Sequence, residues 1–96
     1  MNLYAIRRSS AWESPQELEA AAAKSARIGN EEMADQVRWI RSYVVEEHDG
    51  KLGTICIYEA SGPDAIREHA RRVGIPGDDT LPVANTVVMR PDPAAL

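Results

Sequence analysis

The chain of 96 residues contains no phenylalanine and only one cysteine, and basic side chains are outnumbered by acidic ones. Without phenylalanine, the core must be built from small and aliphatic residues together with two tryptophans and three tyrosines. A lone cysteine excludes a disulfide within the chain and is typical of a reducing compartment. We therefore expect one small domain that works in the cytoplasm.

Charge and hydropathy argue against two kinds of partner, nucleic acids and membranes. The net charge of −4 argues against nucleic acid, because proteins that bind it normally carry a basic surface. No stretch approaches the roughly 18 apolar residues of a membrane span, and the first ten residues lack the apolar core of a signal peptide. The sequence predicts neither nucleic acid nor a membrane as a partner.

The first third of the chain predicts a strand followed by a helix. Residues 3–6 predict a short strand, which Arg7, Arg8 and two serines are expected to end. Ser14-Pro15-Gln16-Glu17 offers a capping serine, a proline at the first helical position and a capping-box glutamate. Gly29-Asn30 is a stop signal, although residues 31–35 allow one further turn.

Residues 37–47 and 52–60 predict a β-hairpin around Asp49-Gly50, which favours a two-residue type I′ turn. That turn pairs Tyr43 with Cys56. One face of the hairpin, expected beneath the helices, is then mostly aliphatic: Ile40, Ser42, Val44, Ile55 and Ile57. The other face, expected to be open, carries Trp39, Arg41, Tyr43, Val45, Thr54, Cys56 and Tyr58.

The last third of the chain predicts a second helix and a final strand. Ser61-Gly62-Pro63-Asp64 begins the helix, with the serine as its cap. Ile66, Ala70 and Val73 form its apolar stripe, His69 lies on the border of that stripe, and Gly74 ends the helix. Residues 81–90 predict the final strand. Residues 1–90 would form a single domain and 91–96 a flexible tail.

The order strand, helix, strand, strand, helix, strand predicts an α+β fold, the ferredoxin-like βαββαβ sandwich. Both helices then cover one face of a four-stranded antiparallel sheet. An open apolar face rarely stays exposed in a monomer, so we expect two sheets to face each other in a homodimer, as in a dimeric α+β barrel. The expected interface residues are Trp39, Tyr43, Val45 and Tyr58.

Three segments of the chain resemble one family of small bacterial proteins: residues 37–44, 56–60 and 65–76. That family is described as nickel-binding, with a dimeric ferredoxin-like fold. The resemblance implies a nickel-binding role without an established enzymatic reaction. It also implies a group of site residues, which are Tyr43, Cys56, Tyr58, Glu59 and His69.

The metal-ligand chemistry of the chain is limited but compatible with nickel. Nickel(II) accepts imidazole, carboxylate, water and thiolate. With only two histidines and no Cys-x-x-Cys pair, the sequence argues against a closed zinc site and is compatible with an open, partly hydrated site that uses one histidine and one or two carboxylates. His69 is the first candidate ligand, and His48 in the charged hairpin tip is the second. The sequence contains no dinucleotide-binding or phosphate-loop fingerprint, so it predicts no organic cofactor.

Three functions fit this reading of the sequence. The first is a small metal-binding protein, with nickel as the metal and no enzymatic activity. The second is a cofactor-free enzyme of the dimeric α+β barrel type, a monooxygenase or an isomerase, with a pocket that holds His69 between sheet and helices. The third is a ligand-sensing or interaction module, since fold alone does not decide function.

Overall fold

The computed structural model describes residues 1–93. Two helices and four strands follow each other in the predicted order: β1 (Asn2–Trp12), α1 (Pro15–Glu31), β2 (Val37–Glu46), β3 (Leu52–Ala60), α2 (Pro63–Val73) and β4 (Thr80–Pro82). The strands form one sheet in the order β2-β3-β1-β4, and all of its pairs are antiparallel. The predicted ferredoxin-like α+β fold is confirmed.

Both helices lie against the same face of the sheet, which we call the helix-side face. Ser25 of α1 bonds to the Tyr58 hydroxyl of β3, and the His69 ring of α2 lies 5.5 Å from the Tyr58 ring. Alternate residues of β1 and β3 point into the core between them, including Tyr4, Ile6 and Cys56. The opposite face, which we call the open face, has no helix over it in residues 1–93.

The first strand is longer than predicted, because its arginines do not end it. β1 runs from Asn2 to Trp12 and pairs with β3 as far as Arg8, after which the register shifts. Ser10 lies in this irregularity with a positive φ of 50°. A charged residue within a strand is tolerated when its charge or hydrogen bonds find partners. Here Arg7 meets Glu47, and Arg8 donates to the carbonyl of Pro76.

Helix α1 begins as predicted and ends slightly later. The Ser14 hydroxyl accepts a hydrogen bond from the Glu17 amide at 3.2 Å, so this residue caps the helix. The Glu17 carboxylate in turn accepts from the amide of Glu13. The helix continues through Gly29-Asn30 to Glu31 and ends at Glu32 with right-handed geometry.

The hairpin turn differs from the predicted two-residue type. The Gly50 amide donates to the Glu47 carbonyl, the Glu47 amide donates to the Lys51 carbonyl, and Gly50 has a φ of +82°. This is a three-residue loop, a type I turn followed by a left-handed glycine that forms a bulge. It pairs Tyr43 with Ile55 and Ser42 with Cys56, one residue away from the predicted register.

Because of that register difference, the prediction of which side chains lie beneath the helices is wrong for β3 and correct for most of β2. A shift by one residue moves one strand's side chains to the opposite face relative to its partner. Thr54, Cys56 and Tyr58 are therefore buried on the helix-side face, whereas Ile55 is 38% exposed on the open face. A second irregularity between Trp39 and Arg41 also places Trp39 opposite Tyr58, on the helix side.

The predicted start of α2 is wrong in one detail. Gly62, not Ser61, is the N-cap residue, and no side chain bonds to the first amides. The predicted stripe is confirmed, since Ile66, Ala70 and Val73 are buried. His69 is more deeply placed than its border position indicated, with 1% of its surface exposed.

The final strand is much shorter than the predicted 81–90. β4 spans Thr80–Pro82, and a last bond joins the Val83 amide to Leu3 before the chain leaves the sheet. Residues 84–93, which we call the C-terminal arm, then lead from β4 at one edge to β2 at the other. There the Asp92 carboxylate bonds to the open-face side chains of Arg41 and Tyr43. Of the predicted tail, residues 94–96 lie outside the described part.

Candidate functional site: a cavity beneath the first helix

The helix-side face and α1 line a cavity of about 480 Å³ that is partly open to solvent. Small residues of α1, mainly Ala21 and Ala22, form one wall and leave space beneath the helix. The sheet and its flanks supply the larger apolar lining, which is Trp12, Leu18, Trp39, Ile40, Val44 and Ile75. Its volume is in the range of small-molecule sites, which are typically about 300–1,000 Å³.

A chain of hydrogen bonds runs along the sheet wall of this cavity. The Trp39 indole donates to the Ser42 hydroxyl at 2.8 Å, and that hydroxyl donates to the Cys56 sulfur at 3.0 Å. The Cys56 thiol in turn donates to the Thr54 hydroxyl at 3.3 Å. All four of these side chains line the cavity. Because these side chains form hydrogen bonds with one another, none of them needs a ligand as a hydrogen-bond partner.

Arg8 is the exception in the lining. Its side chain is 1% exposed, its Nε donates to the Pro76 carbonyl at 2.6 Å, and its guanidinium carbon lies 5.9 Å from the Tyr58 ring centre. Its Nη2 is buried and has no hydrogen-bond partner in residues 1–93. None of the ion pairs found in those residues includes it. A guanidinium stays charged in a protein, so this is a buried cation without an anion.

Behind the cavity, a second polar group joins the two helices to the sheet. The Tyr58 hydroxyl lies 2.9 Å from the Ser25 Oγ, and burial raises the pKa of this phenol. His69 Nε2 lies 3.0 Å from the Ser25 carbonyl, so this nitrogen carries a proton and donates it. Burial lowers the pKa of the imidazole, which favours its neutral form. This histidine does not line the cavity.

The residues that the sequence indicated as a site do not come together. Cys56 and Tyr58 line the cavity, and His69 lies behind Tyr58. Tyr43 and Glu59, in contrast, lie on the open face, one 43% exposed and the other half-buried. His48 is exposed at the hairpin tip, apart from both of these groups. The predicted group is therefore divided between three places.

Metal donors are equally dispersed. Within residues 1–93 there is no set of three or more His, Cys, Asp or Glu side chains placed to hold a metal ion. The His69 Nε2 is bonded to a backbone carbonyl, and the Cys56 sulfur takes part in the hydrogen-bond chain of the wall. The donors of one copy of the chain consequently do not fit a complete nickel site.

Sequence reasoning missed most of the cavity lining, including the polar residues Arg8, Ser25 and Ser42. A signal for Arg8 was available, since Tyr4, Ile6 and Arg8 alternate and therefore share one face of a strand. Ser25 recurs at helical spacing with Leu18 and Ala22, a pattern that indicates packing and gives no signal for a site. Ser42 was placed on the correct face, but its bond to Cys56 depends on the register that the turn decides.

Fold and cavity together define a small ferredoxin-like α+β protein with a cavity between sheet and helix. None of its helices within residues 1–93 is long and apolar enough to cross a bilayer. The family model of nickel responsive proteins similar to SCO4226 matches residues 4–83. The chain belongs to this family, in agreement with the resemblance of its hairpin and second helix.

A solved structure with the same fold is SCO4226 of Streptomyces coelicolor A3(2). The TM-score is 0.70 at 13% sequence identity, and the match covers 88% of this chain and 99% of the other. At this identity the likeness concerns the fold. Among proteins with curated descriptions, no similar sequence is found.

Proposed function

We propose that this protein binds nickel as a homodimer in the cytoplasm and has no catalytic role. The observation that carries the proposal is the match of residues 4–83 to a family of nickel responsive proteins. The lone cysteine favours a reducing compartment. The positions of the exposed metal-ligand side chains support a location for the nickel site. The open face and the C-terminal arm support the homodimer.

The exposed donors favour the hairpin tip over the buried histidine. His48 is exposed, with Glu46 and Asp49 as exposed neighbours. The Lys51 amide donates to the Asp49 carboxylate, and this bond lowers the pKa of Asp49, so the group is ionised at neutral pH. One tip supplies few ligands for nickel(II). We therefore place the site between exposed donors of two copies, with His48 as the imidazole.

A second copy is favoured by the open face and the arm. Tyr43, Ile55 and Leu81 are 43%, 38% and 63% exposed on one side of the sheet. Val87, Val88 and Met89 of the arm are 80%, 70% and 87% exposed. The two valines favour a strand, but none of these three residues belongs to one within residues 1–93. The edge strand β2 offers unpaired backbone groups, which a partner's arm would satisfy.

A binding role is favoured over catalysis by the state of the two candidate nucleophile and base groups. The Cys56 thiol donates to Thr54 and accepts from Ser42, and His69 donates to a backbone carbonyl. Both side chains are engaged in structural hydrogen bonds, whereas an acid–base catalyst must reach a reacting group.

Calorimetric titration of untagged protein with nickel tests the metal. We expect saturable binding that weakens at least tenfold in His48→Ala and keeps its stoichiometry in His69→Gln, because the buried imidazole is not a ligand. Absence of binding would reject the proposal. Loss of binding in a folded His69→Gln, with His48→Ala unaffected, would move the site to the core.

Light scattering at micromolar concentration tests the dimer. We expect a dimer for the natural chain and a monomer for Leu81→Lys or Ile55→Lys, because either lysine charge would be buried between the two sheets. Ala23→Lys on the exposed side of α1 is the matched control and should stay dimeric. A monomeric natural chain would contradict the proposal.

A further inference from the structure

We infer that the cavity beneath α1 is a binding site for a small organic anion with an apolar body and one negatively charged head, such as a monocarboxylate. This site is separate from the proposed nickel site, and it shares no residue with the hairpin tip. Three features of residues 1–93 support it: a buried arginine with an unsatisfied nitrogen, the satisfied state of the other buried polar side chains, and the shape of the cavity.

The anionic head follows from Arg8. Its guanidinium is buried among the residues that line the cavity, and its Nη2 has no partner in residues 1–93. A buried ion without a counter-charge is strongly unfavourable, and Arg8 cannot relieve this by losing its proton. A carboxylate or phosphate is the natural partner, because its oxygens match the spacing of guanidinium donors.

The single head follows from the other polar groups. Ser42, Cys56 and Thr54 bond to one another, and Trp39 donates to the first of them. The Tyr58 hydroxyl is bonded to Ser25. No other buried side-chain nitrogen or oxygen in the described residues lacks a partner. A ligand with several polar groups would find few free partners, whereas one charged group suffices for Arg8.

The apolar body follows from the remaining lining. The walls include Trp12, Leu18, Ile40, Val44 and Ile75, together with the alanines of α1. A cavity of about 480 Å³ holds more than a small inorganic ion. Burial of hydrocarbon is favourable at roughly 25 cal/mol per Å². The cavity therefore selects an organic acid with a longer hydrocarbon body over free phosphate or acetate.

The chain carries its own reporters for a binding experiment. Its only two tryptophans, Trp12 and Trp39, both line the cavity. We would titrate the metal-free protein in chelating buffer with octanoate, with the neutral 1-octanol and with acetate, and follow tryptophan fluorescence. Octanoate is expected to bind at least tenfold more tightly than either of the others, because it alone combines charge with a chain.

Two pairs of variants assign the effect to the cavity. Arg8→Gln removes the charge but keeps a donor for Pro76, and should abolish the preference for octanoate over octanol. Arg7→Gln, on the adjacent residue that faces Glu47, should leave that preference intact. Ala22→Phe fills the cavity and should abolish binding of both ligands, whereas Ala23→Phe on the exposed side of α1 should not.

The inference is overturned by any of four results. These are no change in fluorescence with octanoate, equal affinity for octanoate and octanol, equal affinity for acetate and octanoate, or an unchanged preference in folded Arg8→Gln. If Arg8→Gln does not fold, the ligand comparison in the natural protein and the Ala22→Phe pair still decide. Because nickel is absent, failure here is independent of the nickel titration.

Discussion

Two consecutive arginines of β1 show how differently the two faces of this sheet treat the same side chain. Arg7 points to the open face, where both oxygens of the Glu47 carboxylate lie 2.8 Å from its Nη2. Arg8 points to the helix-side face, where its guanidinium meets a backbone carbonyl and no carboxylate in residues 1–93. On the open face the arginine is paired with a carboxylate, whereas the arginine on the helix-side face has no anionic partner within residues 1–93.

The tyrosines repeat the contrast. Tyr43 on the open face is 43% exposed and bonds to the Asp92 carboxylate of the arm. Tyr58 on the helix-side face is 2% exposed, bonds to Ser25 and touches the rings of Trp39 and His69. Stability should therefore depend on the helix-side face, and association with a second copy on the open face.

The largest expected effect is the loss of the Tyr58 ring. Tyr58→Ala should lower the free energy of unfolding by about 3–5 kcal/mol, because a buried ring leaves a cavity and a lost contact surface. Tyr43→Ala should cost less than about 1 kcal/mol in the monomer, since that ring is largely in solvent. Urea denaturation measures both. If the two variants lost similar amounts of free energy of unfolding, the two faces would not differ in their contribution to stability.

A second effect tests the crowding around the Arg7–Glu47 pair. A Cβ at Gly53 would lie 2.6 Å from the Arg8 carbonyl oxygen and in severe contact with the Glu47 carboxylate. Gly53→Ala should therefore destabilise the protein by about 1–3 kcal/mol, since overpacking forces the backbone or the ion pair to move. Gly62→Ala, where nothing lies within 4 Å, is the matched control and should be nearly neutral in the same denaturation experiment.

The element order and the stripe of α2 were predictable from sequence, because capping residues, turn residues and apolar spacing are local signals. The face of β3 was not, because it depends on whether Asp49-Gly50 forms a two- or a three-residue loop. Both loops accept glycine with positive φ. Because the two loops differ by one residue, Cys56 and Tyr58 were predicted on the open face but lie in the core.

The candidate site was predictable only in part for the same reason. Cys56 and Tyr58 were selected by resemblance, and they do line the cavity. Arg8 was overlooked because a pair of arginines was taken as the end of β1, although strand alternation continues through them. Ser25 and His69 meet across two helices, and a contact between residues 44 apart in sequence has no local signal.

The third effect is a pH dependence that originates in His69. Its folded-state pKa lies below the ordinary value of 6.5, because burial disfavours the imidazolium. The unfolded chain then binds more protons below that pH, so stability is complete above about pH 6.5 and falls as the pH drops toward the folded-state pKa. Stability should fall by at most about 1.4 kcal/mol per pH unit, the limit for one proton.

Denaturation of variants between pH 7 and 5 isolates this contribution. His69→Gln should remove the decline, whereas His48→Gln at the exposed tip should retain it. The Glu68 carboxylate has its pKa lowered to about 2 by hydrogen bonds from Arg71 and Arg72. Its contribution is lost only as the pH falls below about 4.5, so the two windows do not overlap. A natural protein of constant stability between pH 7 and 5 would contradict the assignment.

The smallest effect concerns the anchor of the arm on the open face. Asp92 bonds to Arg41 at 2.7 Å and to Tyr43 at 2.8 Å, but the pair is about half exposed on each side. Asp92→Ala should therefore change the free energy of unfolding by less than about 1 kcal/mol. Amide exchange in residues 84–93 should nevertheless accelerate, because this carboxylate joins the arm to β2.

Asp64→Ala is the control, since Asp64 pairs with Arg67 on the surface of α2 at a similar distance of 2.8 Å. It should produce a similarly small change in stability and leave exchange in the arm unaltered. A loss above about 2 kcal/mol in Asp92→Ala would mean that the arm is an integral layer of the folded protomer. An arm so firmly held to its own sheet would not be free to pair with β2 of a second copy.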